Sequence, residues 1–468
     1  MISKFIDRKD ELDLLEREWE NTPSFVVVYG RRRIGKTRLL SEFAKGKRVF
    51  FHTFTEGTKE GQIEALRKEL AEFFGDELFL SFSDWFPLFK YLASKISGRT
   101  AVILDEFTYA VKSDREILSA LQRAWDHELS RRPVMLVLSG SLLGMMRDEV
   151  LSYSSPLYGR RTAGFMLKPL NFKHSVEFFG DWDYGLRAYL LLGGVPAYLA
   201  IASRKRSIEE LVEEEFLSPL GYFYDEPYIV LAGELRELKV YFSILATIAG
   251  GKHRPTEIAN NLGIEGRRIY PYLETLIRLG FVRREVPVVG KEKRGIYRIN
   301  DPFLLTWFSL VYPNRTAIEL GLADFEGVFE NLQRVYSVRF EELAKEFFVE
   351  LNKAVRLPFS FTKIGRWWKK GEEIDLVALN ERERKALFVE VKWKDLSERE
   401  ARGILRELER KAELVGLDDW ESFYGLVAKR AEGKEGIREE GWLVWDLKDF
   451  ENTNPLRIPE KREKAPLR

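Results

Sequence analysis

A glycine-rich segment that directly follows an apolar strand is the strongest constraint on what this chain can fold into. Ser24–Tyr29 (SFVVVY) is a short, continuous apolar run, typical of a strand buried on both faces of a parallel sheet. Residues 30–37 (GRRRIGKT) come next and match the pattern G-x-x-x-x-G-K-[ST]. After a strand, this pattern predicts a loop whose backbone N–H groups wrap phosphates at the amino end of a helix. We therefore expect a nucleotide site here.

The phosphate loop (residues 30–37) and a second strand are expected to supply different groups for binding and hydrolysing a nucleoside triphosphate. Lys36 is expected to reach the β- and γ-phosphates, and the Thr37 hydroxyl to ligate Mg²⁺. Ala101–Phe107 (AVILDEF) is an apolar strand ending in two carboxylates, of which Asp105 suits the Mg²⁺ shell and Glu106 would polarise the attacking water. The predicted cofactors are ATP and Mg²⁺. The predicted nucleotide-binding residues are Gly30, Arg31, Arg32, Arg33, Ile34, Gly35, Lys36, Thr37 and Arg38.

Composition narrows the classes of protein that remain. With 468 residues the chain is too long for one ordinary core, so about two to four domains are expected. The 75 Lys and Arg residues nearly balance the 74 Asp and Glu residues, so any nucleic-acid surface must be local. The absence of cysteine excludes disulfides, thiolate zinc sites and cysteine nucleophiles. No apolar run reaches the roughly 18 residues that span a bilayer and no signal peptide is evident, so we expect a cytoplasmic protein without membrane contact.

The order of strand-like and helical segments predicts an α/β fold in several parts. Residues 1–170 alternate buried strands with helices, which is typical of a P-loop NTPase domain with a parallel sheet. Residues 171–235 are mostly helical and are expected to form a lid subdomain. Residues 236–301 have the layout of a winged helix, and residues 302–450 that of a second α/β domain. Residues 451–468 read as a polar tail.

The predicted winged helix carries a local excess of positive charge. Its expected elements are helices Val240–Ile248, Pro255–Leu262 and Ile269–Leu279 and a hairpin over Phe281–Ile299 that turns at Gly290–Gly295. Arg267 and Arg268 lie at the start of the third helix, where such folds present residues to a major groove. Between Ile264 and Arg298, nine Lys and Arg residues face four Asp and Glu residues, which favours DNA binding. A lid or a protein contact is the alternative.

Near the C-terminus, three acidic residues and a lysine are candidates for a metal site. In Leu387–Lys394 (LFVEVKWK), side chains alternate along a strand, so Glu390 and Lys392 project from the same face. A preceding strand-like segment places a lone Asp375 among apolar residues. An earlier helix, predicted from about Ser337 to Asn352, carries Glu341, with Glu342 as the other candidate. Asp375 and Glu390 on adjacent strands could hold Mg²⁺, while Lys392 could position the attacking water or the scissile phosphate.

The same C-terminal segments also have a structural interpretation. Glu390 and Lys392 could instead form a solvent-facing ion pair on an edge strand, with Gly365–Glu373 (GRWWKKGEE) as an exposed loop. The aromatic and basic residues of this loop could grip a phosphate backbone, although paired tryptophans more often pack; they are Arg366, Trp367, Trp368, Lys369 and Lys370. The sequence leaves these alternatives open.

Several stretches together resemble the archaeal-type ATPases of the AAA/STAND P-loop lineage, which carry a winged helix and a further C-terminal domain. The matching stretches are FIDRKDELDLL, GRRRIGKT, AVILDEF, LSGSLLGMM, LYGRRT and LLGGVPAYL. By this resemblance, Ser141 is similar to the sensor of the γ-phosphate, and Pro196 belongs to a glycine–proline signature over the nucleotide. Arg160 or Arg161 resembles an arginine finger that often reaches a neighbouring subunit, with a structural ion pair as the alternative.

The C-terminal part resembles the PD-(D/E)XK, or restriction-endonuclease-like, fold. Asp375, Glu390 and Lys392 match its acidic and lysine core, and Glu341 is similar to a helical glutamate of some branches. Ile374 stands where the family often has proline. The resemblance implies a Mg²⁺-dependent ATPase. Its nucleotide state would set the positions of a winged helix and of a nuclease-like domain that act on DNA. The alternative is a regulatory ATPase with a protein partner, or self-association, and an inactive nuclease-like domain.

Overall fold

The computed structural model describes residues 5–290 and 295–452, which divide into two compact units. The first unit comprises the chain up to His174 together with Gly194–Ile201 and Tyr228–Arg236. The second comprises Ser175–Gly193, Ala202–Pro227 and the chain from Glu237 onward. In the described part of the chain, no helix is both long enough and apolar enough to cross a membrane.

The first unit is built around a five-stranded parallel sheet with the strand order β2-β3-β4-β1-β5. Strands β3 and β4 are buried along their whole length, as is β1 except for its last residue, which explains their continuous apolar sequences. This confirms the predicted α/β fold with a parallel sheet. The strands are β1 (Ser24–Tyr29), β2 (Val49–Thr53), β3 (Thr100–Asp105), β4 (Val134–Gly140) and β5 (Ala163–Met166).

Helices cover this sheet and continue into the following segment. Local sequence sets their ends, as in α3, where the Thr58 side chain accepts the N–H of Gly61 and left-handed Gly75 ends the helix. These helices are α1 (Lys9–Glu20), α2 (Lys36–Phe43), α3 (Lys59–Phe74), α4 (Trp85–Lys95), α5 (Phe107–Ser113), α6 (Glu116–His127), α7 (Leu143–Met145), α8 (Phe172–Ser175), α9 (Trp182–Leu192), α10 (Pro196–Ala202), α11 (Ile208–Leu211) and α12 (Glu226–Ala232).

Three helices and a two-stranded antiparallel hairpin follow, within two residues of the predicted positions. They are α13 (Leu238–Ala249), α14 (Pro255–Leu262), α15 (Ile269–Arg278), β6 (Val282–Glu285) and β7 (Ile296–Ile299). Most of the turn predicted at Gly290–Gly295 lies outside the described residues. Arg267 and Arg268 are exposed just before α15. Two other basic residues of this segment form ion pairs, Arg283 with Glu342 and Arg298 with Glu285, so the basic surface is smaller than the sequence count.

The rest of the second unit contains a five-stranded mixed sheet with the order β12-β11-β10-β9-β8. Strand β9 pairs antiparallel with β8 and with β10, whereas β11 pairs parallel with β10 and with β12. Helix α18 packs on β10 from one side and α19 packs on β10 and β11. The elements are α16 (Pro302–Leu310), α17 (Arg315–Glu319), α18 (Phe325–Lys353), β8 (Lys363–Lys369), β9 (Glu372–Asn380), β10 (Lys385–Leu396), α19 (Glu398–Glu413), β11 (Glu421–Ala431), α20 (Lys434–Glu439), β12 (Leu443–Trp445) and α21 (Leu447–Asn452).

Three expectations about the C-terminal region are wrong. The segment predicted as an exposed loop forms β8 and pairs with β9, and Trp367 is buried in the core. Strand β10 lies between β9 and β11, so the edge-strand alternative for Glu390 fails. Helix α18 begins at Phe325, twelve residues before the predicted start at Ser337, because Asp324 caps it there. The predicted tail from residue 453 onward lies outside the described residues.

Candidate functional sites

The carboxyl ends of three neighbouring strands bring most of the predicted nucleotide site together. Strand β4 lies between β1 and β3, and all three run parallel. The phosphate loop follows β1, Ser141 follows β4, and Asp105 ends β3 with Glu106 next to it. In open parallel sheets this edge is where ligands bind.

Two glycines and a lysine shape the phosphate loop. A Cβ on Gly30 would lie 2.7 Å from the carbonyl oxygen of Leu167, so no side chain fits there. Gly35 has a φ of 95°, in the left-handed region that glycine tolerates best. Lys36 begins α2, is only 4% exposed, and its Nζ donates to the carbonyl oxygens of Gly30 (3.0 Å) and Arg31 (3.3 Å). Burial lowers the pKa of Lys36, and Glu106 and Asp105 oppose that shift.

Asp105 is fully buried and only half satisfied. Its Oδ2 accepts a hydrogen bond of 2.7 Å from the Thr37 hydroxyl, whereas its Oδ1 has no hydrogen-bond partner among the described residues. A buried carboxylate oxygen without a partner is costly unless something from outside the chain satisfies it. Carboxylate and hydroxyl oxygens are the ligands that Mg²⁺ prefers, so these residues fit the predicted metal.

Glu106 and Ser141 are joined by two hydrogen bonds. Glu106 Oε2 accepts from the Ser141 hydroxyl (2.6 Å) and from its backbone N–H (3.1 Å), while Oε1 lies 3.8 Å from Lys36 Nζ. Pro196 also lies at this edge, since its Cγ would be 4.0 Å from a Cβ on Gly35. The predicted nucleotide-site residues other than the two arginines therefore lie at the same edge of the sheet.

The two arginines of LYGRRT lie elsewhere. The backbone N–H of Thr162 donates to Phe25 at the start of β1, so Arg160 and Arg161 lie at the edge of the sheet opposite the phosphate loop. A strand rises about 3.3 Å per residue, so β1 separates them from the loop by about 15 Å. Arg160 forms an ion pair with Asp126 through Nε and Nη2 and donates Nη1 to two carbonyls, whereas Arg161 is exposed. Neither can serve as a finger for its own chain's nucleotide in this conformation.

In the second unit, Asp375 and Glu390 are bridged by a lysine. Lys392 Nζ lies 3.3 Å from Asp375 Oδ2 and 2.5 Å from Glu390 Oε2. The backbone N–H of Val391 also donates to Asp375 Oδ2 (2.9 Å), and Lys411 of α19 donates to Glu390 Oε1 (3.1 Å). Burial alone would raise the pKa of Asp375, but Lys392, Arg366 and the Val391 N–H together hold it below its usual value. Burial and the neighbouring Asp375 raise the pKa of Glu390.

Arg366 extends this C-terminal cluster, which consists of Glu341, Arg366, Asp375, Glu390, Lys392 and Lys411. Arg366 of β8 is 6% exposed; its Nη2 contacts Glu341 and its Nη1 lies 3.5 Å from Asp375 Oδ1. Glu341 therefore faces the cluster, whereas Glu342 pairs with Arg283. Every oxygen of Asp375 and Glu390 thus has a cationic or N–H partner. Within the described ranges, no three His, Asp or Glu side chains are grouped so that they could hold a metal ion.

Sequence reasoning missed three residues that these sites contain. Arg366 was expected in an exposed loop, Lys411 was one of many charges on a predicted helix, and Glu234 lies outside every motif. Glu234 lies in the first unit, where its carboxylate accepts backbone N–H groups just after Ser141. Only Lys411 could have been found from the sequence. The spacing of the apolar residues of α19 predicts that one face of this helix lies against the sheet.

Comparison with protein families gives two matches. The family described as an ATPase domain predominantly from Archaea matches residues 5–200. A second family, described as archaeal and bacterial proteins of unknown function, matches residues 307–404, which include Glu341, Asp375, Glu390 and Lys392.

Similar proteins extend these matches over the whole chain. An uncharacterized protein of Methanocaldococcus jannaschii is 39% identical over 451 residues, covering 95% of this chain and 100% of that protein. An uncharacterized ATP-binding protein of the same organism is 47% identical over 49 residues, covering 10% of this chain and 83% of its own length. Among solved structures, the Walker-type ATPase of Pyrococcus abyssi has a TM-score of 0.51 at 24% identity, covering 65% of this chain and 96% of that one. That last similarity concerns the fold.

Proposed function

We propose that this chain, which belongs to the same family as the full-length Methanocaldococcus jannaschii relative and contains an archaeal-type ATPase domain, hydrolyses ATP with Mg²⁺ as cofactor. The observation that carries the proposal is the contact of 2.7 Å between the Thr37 hydroxyl and Asp105, whose second oxygen has no partner in the described chain. These oxygens would form the protein's part of a Mg²⁺ shell, and the bound ion would neutralise charge on the phosphates.

The other groups at this edge take the remaining roles in hydrolysis. Lys36 would exchange the carbonyl oxygens of Gly30 and Arg31 for phosphate oxygens when a nucleotide enters the loop. Glu106 would orient the attacking water, and Ser141, which already donates two hydrogen bonds to it, would hold its carboxylate in place.

Single-turnover and steady-state ATP hydrolysis test this proposal. Lys36→Ala and Glu106→Gln are each expected to lower the rate by about a hundredfold or more, because each removes a group that acts on the transferred phosphoryl or the water. Lys45→Ala is the matched control, since Lys45 lies just after the same helix, is 70% exposed and pairs with Glu42 of that helix. Unchanged hydrolysis in Lys36→Ala and Glu106→Gln would contradict the proposal.

An arginine finger in this chain would have to act on another copy. Arg161 is the candidate that remains, because Arg160 is held by Asp126 and by two carbonyls. We expect the specific activity to rise with protein concentration, and Arg161→Ala to abolish that rise. If Arg161→Ala retains the rise while Arg160→Ala loses it, the assignment of the finger is reversed.

For the second unit, we propose a winged helix over residues 236–301 and a nuclease-like domain over residues 302–450 that act on DNA under control of the nucleotide state. The exposed Arg267 and Arg268 ahead of α15 support DNA contact. Asp375 and Glu390 on adjacent antiparallel strands, with Lys392 between them, support the nuclease-like assignment.

One observation favours the alternative, a regulatory ATPase with a protein partner and an inactive nuclease-like domain. Both carboxylates of the C-terminal cluster are fully partnered by groups of the chain, so a divalent ion would have to displace Lys392 from between them. Lys392 has 39% of its side chain exposed and is the member best placed to move.

Binding and cleavage assays separate these two candidates. Duplex, branched and single-stranded DNA are incubated with Mg²⁺ or Mn²⁺, with and without ATP. Cleavage that Asp375→Ala and Glu390→Ala abolish would establish the nuclease; absence of cleavage together with absence of salt-dependent binding would establish the alternative. Reversing Arg267 and Arg268 to Glu should weaken DNA binding, whereas reversing the exposed Arg382 is the control.

A further inference from the structure

A glutamate outside every matching motif is attached to the nucleotide site. Glu234 follows α12 by two residues and is mostly buried. Its Oε1 accepts the backbone N–H of Leu143 (2.5 Å) and its Oε2 that of Gly144 (3.1 Å). Each oxygen therefore holds one N–H of the turn that follows β4, ninety residues earlier in the chain.

The turn that Glu234 holds begins at Ser141. Ser141 in turn donates its hydroxyl and its backbone N–H to Glu106. The turn is also packed closely against the segment that carries Glu234, since a Cβ on Gly233 would lie 3.3 Å from Leu142 Cδ2. A continuous series of contacts thus runs from Glu234 through the turn to Ser141 and Glu106.

The carboxyl group of Glu234 also interacts electrostatically with two arginines of the phosphate loop. Burial raises the pKa of its carboxyl, while the Gly144 and Leu143 N–H groups and then Arg31 and Arg32 oppose that rise. The two arginines belong to the loop that would wrap the phosphates. A carboxylate close to them reduces the positive potential that attracts a phosphate.

Glu234 lies near the end of the first unit in the sequence. Tyr228–Arg236 belongs to the first unit, and the chain from Glu237 onward belongs to the second. Glu234 is therefore one of the last residues of the nucleotide-binding unit before α13 begins at Leu238.

We propose that Glu234 is a positioning residue of the ATPase. It holds the turn after β4 so that Ser141 keeps Glu106 oriented, and its charge weakens the attraction of Arg31 and Arg32 for nucleotide. The proposal rests on the proposed ATP hydrolysis and adds a residue to it.

The charge and the position of Glu234 are expected to affect different kinetic quantities. Glu234→Gln keeps the size but loses the charge and one acceptor, so kcat should fall about tenfold while the Kd of a fluorescent ADP analogue falls about threefold. Glu234→Asp keeps the charge but withdraws the carboxylate, so kcat should fall with the Kd unchanged. The control is Glu237→Gln, an exposed glutamate three residues further on.

A double-variant cycle tests whether Glu234 acts through Ser141. If it does, Ser141→Ala combined with Glu234→Gln should lower kcat no further than Ser141→Ala alone. The proposal would be overturned if the double variant lowered kcat by the product of the two single effects. It would also be overturned if Glu234→Gln bound nucleotide more weakly than the wild type. Melting temperatures with and without ADP identify a variant that merely unfolds. If the wild type binds the analogue but hydrolyses no ATP, the proposed function fails, and the Kd shift still tests the charge of Glu234.

Discussion

Two acidic sites in this chain use the same residue types and differ in how their carboxylates are satisfied. Each has an aspartate at or near a strand end, a glutamate and a lysine close by. One oxygen of Asp105 accepts the Thr37 hydroxyl and the other has no partner in the described chain. Both oxygens of Asp375 accept a hydrogen bond or face a cation. At the first site one oxygen of the aspartate has no partner in the described chain, although Lys36 faces Glu106, whereas at the second site groups of the chain satisfy both oxygens.

This difference separates the two roles that a buried carboxylate can have. In the C-terminal cluster each carboxylate faces at least one cation of the chain, so the chain itself supplies the opposite charge. Breaking such a pair leaves a buried charge behind, which destabilises the fold. At Asp105 we propose that the cation comes with the nucleotide, so the same residue type should contribute to hydrolysis and little to stability.

Substitution of Asp105 has the largest expected effect. Asp105→Asn keeps the shape and the contact with Thr37 but removes the charge that would attract Mg²⁺. We expect ATP hydrolysis to fall by about a thousandfold, or about 4 kcal/mol, with the melting temperature of the nucleotide-free protein nearly unchanged. Steady-state kinetics over a Mg²⁺ titration and a thermal melt measure both. A large loss of stability would show that the two aspartates do not differ as proposed.

The matching substitution in the second unit should have the opposite outcome. Asp375→Asn leaves Arg366 and Lys392 with one counter-charge fewer, and we expect a loss of about 2–3 kcal/mol of stability. Hydrogen exchange of β9 and β10 should accelerate while ATP hydrolysis is retained. Asp395→Asn is the control, since Asp395 is an exposed residue of the same strand β10. Equal exchange in Asp375→Asn and Asp395→Asn would remove the distinction.

The nucleotide site could be predicted from sequence because its parts are local. The phosphate loop is continuous, and Asp105 and Ser141 each end or follow an apolar strand of a parallel sheet, whose carboxyl ends meet at one edge. The position of Arg161 could not be predicted in the same way. Its distance from the loop depends on the register of β5 against β1, which no local pattern records.

The C-terminal cluster was only half predictable for a related reason. Asp375, Glu390 and Lys392 follow from strand alternation, but Arg366 lay in a segment whose charges and paired tryptophans resembled a surface loop. Its burial depends on β8 pairing with β9, which covers its charge with Glu341 and Asp375. The role of Glu234 could not be predicted from sequence either, because its partners are backbone groups ninety residues away.

The pH dependence of stability should sharpen the comparison through Glu341. Burial raises its pKa to about 7, with Arg366 opposing and Asp375 adding to the rise. The folded chain then holds this proton more tightly than the unfolded chain, whose ordinary value is 4.5. The stabilisation is complete below that value and is lost as the pH rises through 7, by about 2–3 kcal/mol between pH 5 and pH 8. Denaturant unfolding at pH 5 and 8 should show this decline in the wild type and not in Glu341→Gln; identical slopes would contradict it.

The smallest expected effect comes from opening the C-terminal cluster by one charge. Lys411 pairs with Glu390 at 3.1 Å and is 19% exposed, and Glu390 keeps Lys392 as a partner, so Lys411→Gln should cost only about 1 kcal/mol. The variant leaves three carboxylates against two cations, which makes the cluster resemble the Asp105 site. Mn²⁺ should therefore raise its melting temperature more than that of the wild type or of Lys429→Gln, a lysine that pairs with exposed Asp395. An equal response to Mn²⁺ in all three would mean that charge balance does not govern cation binding there.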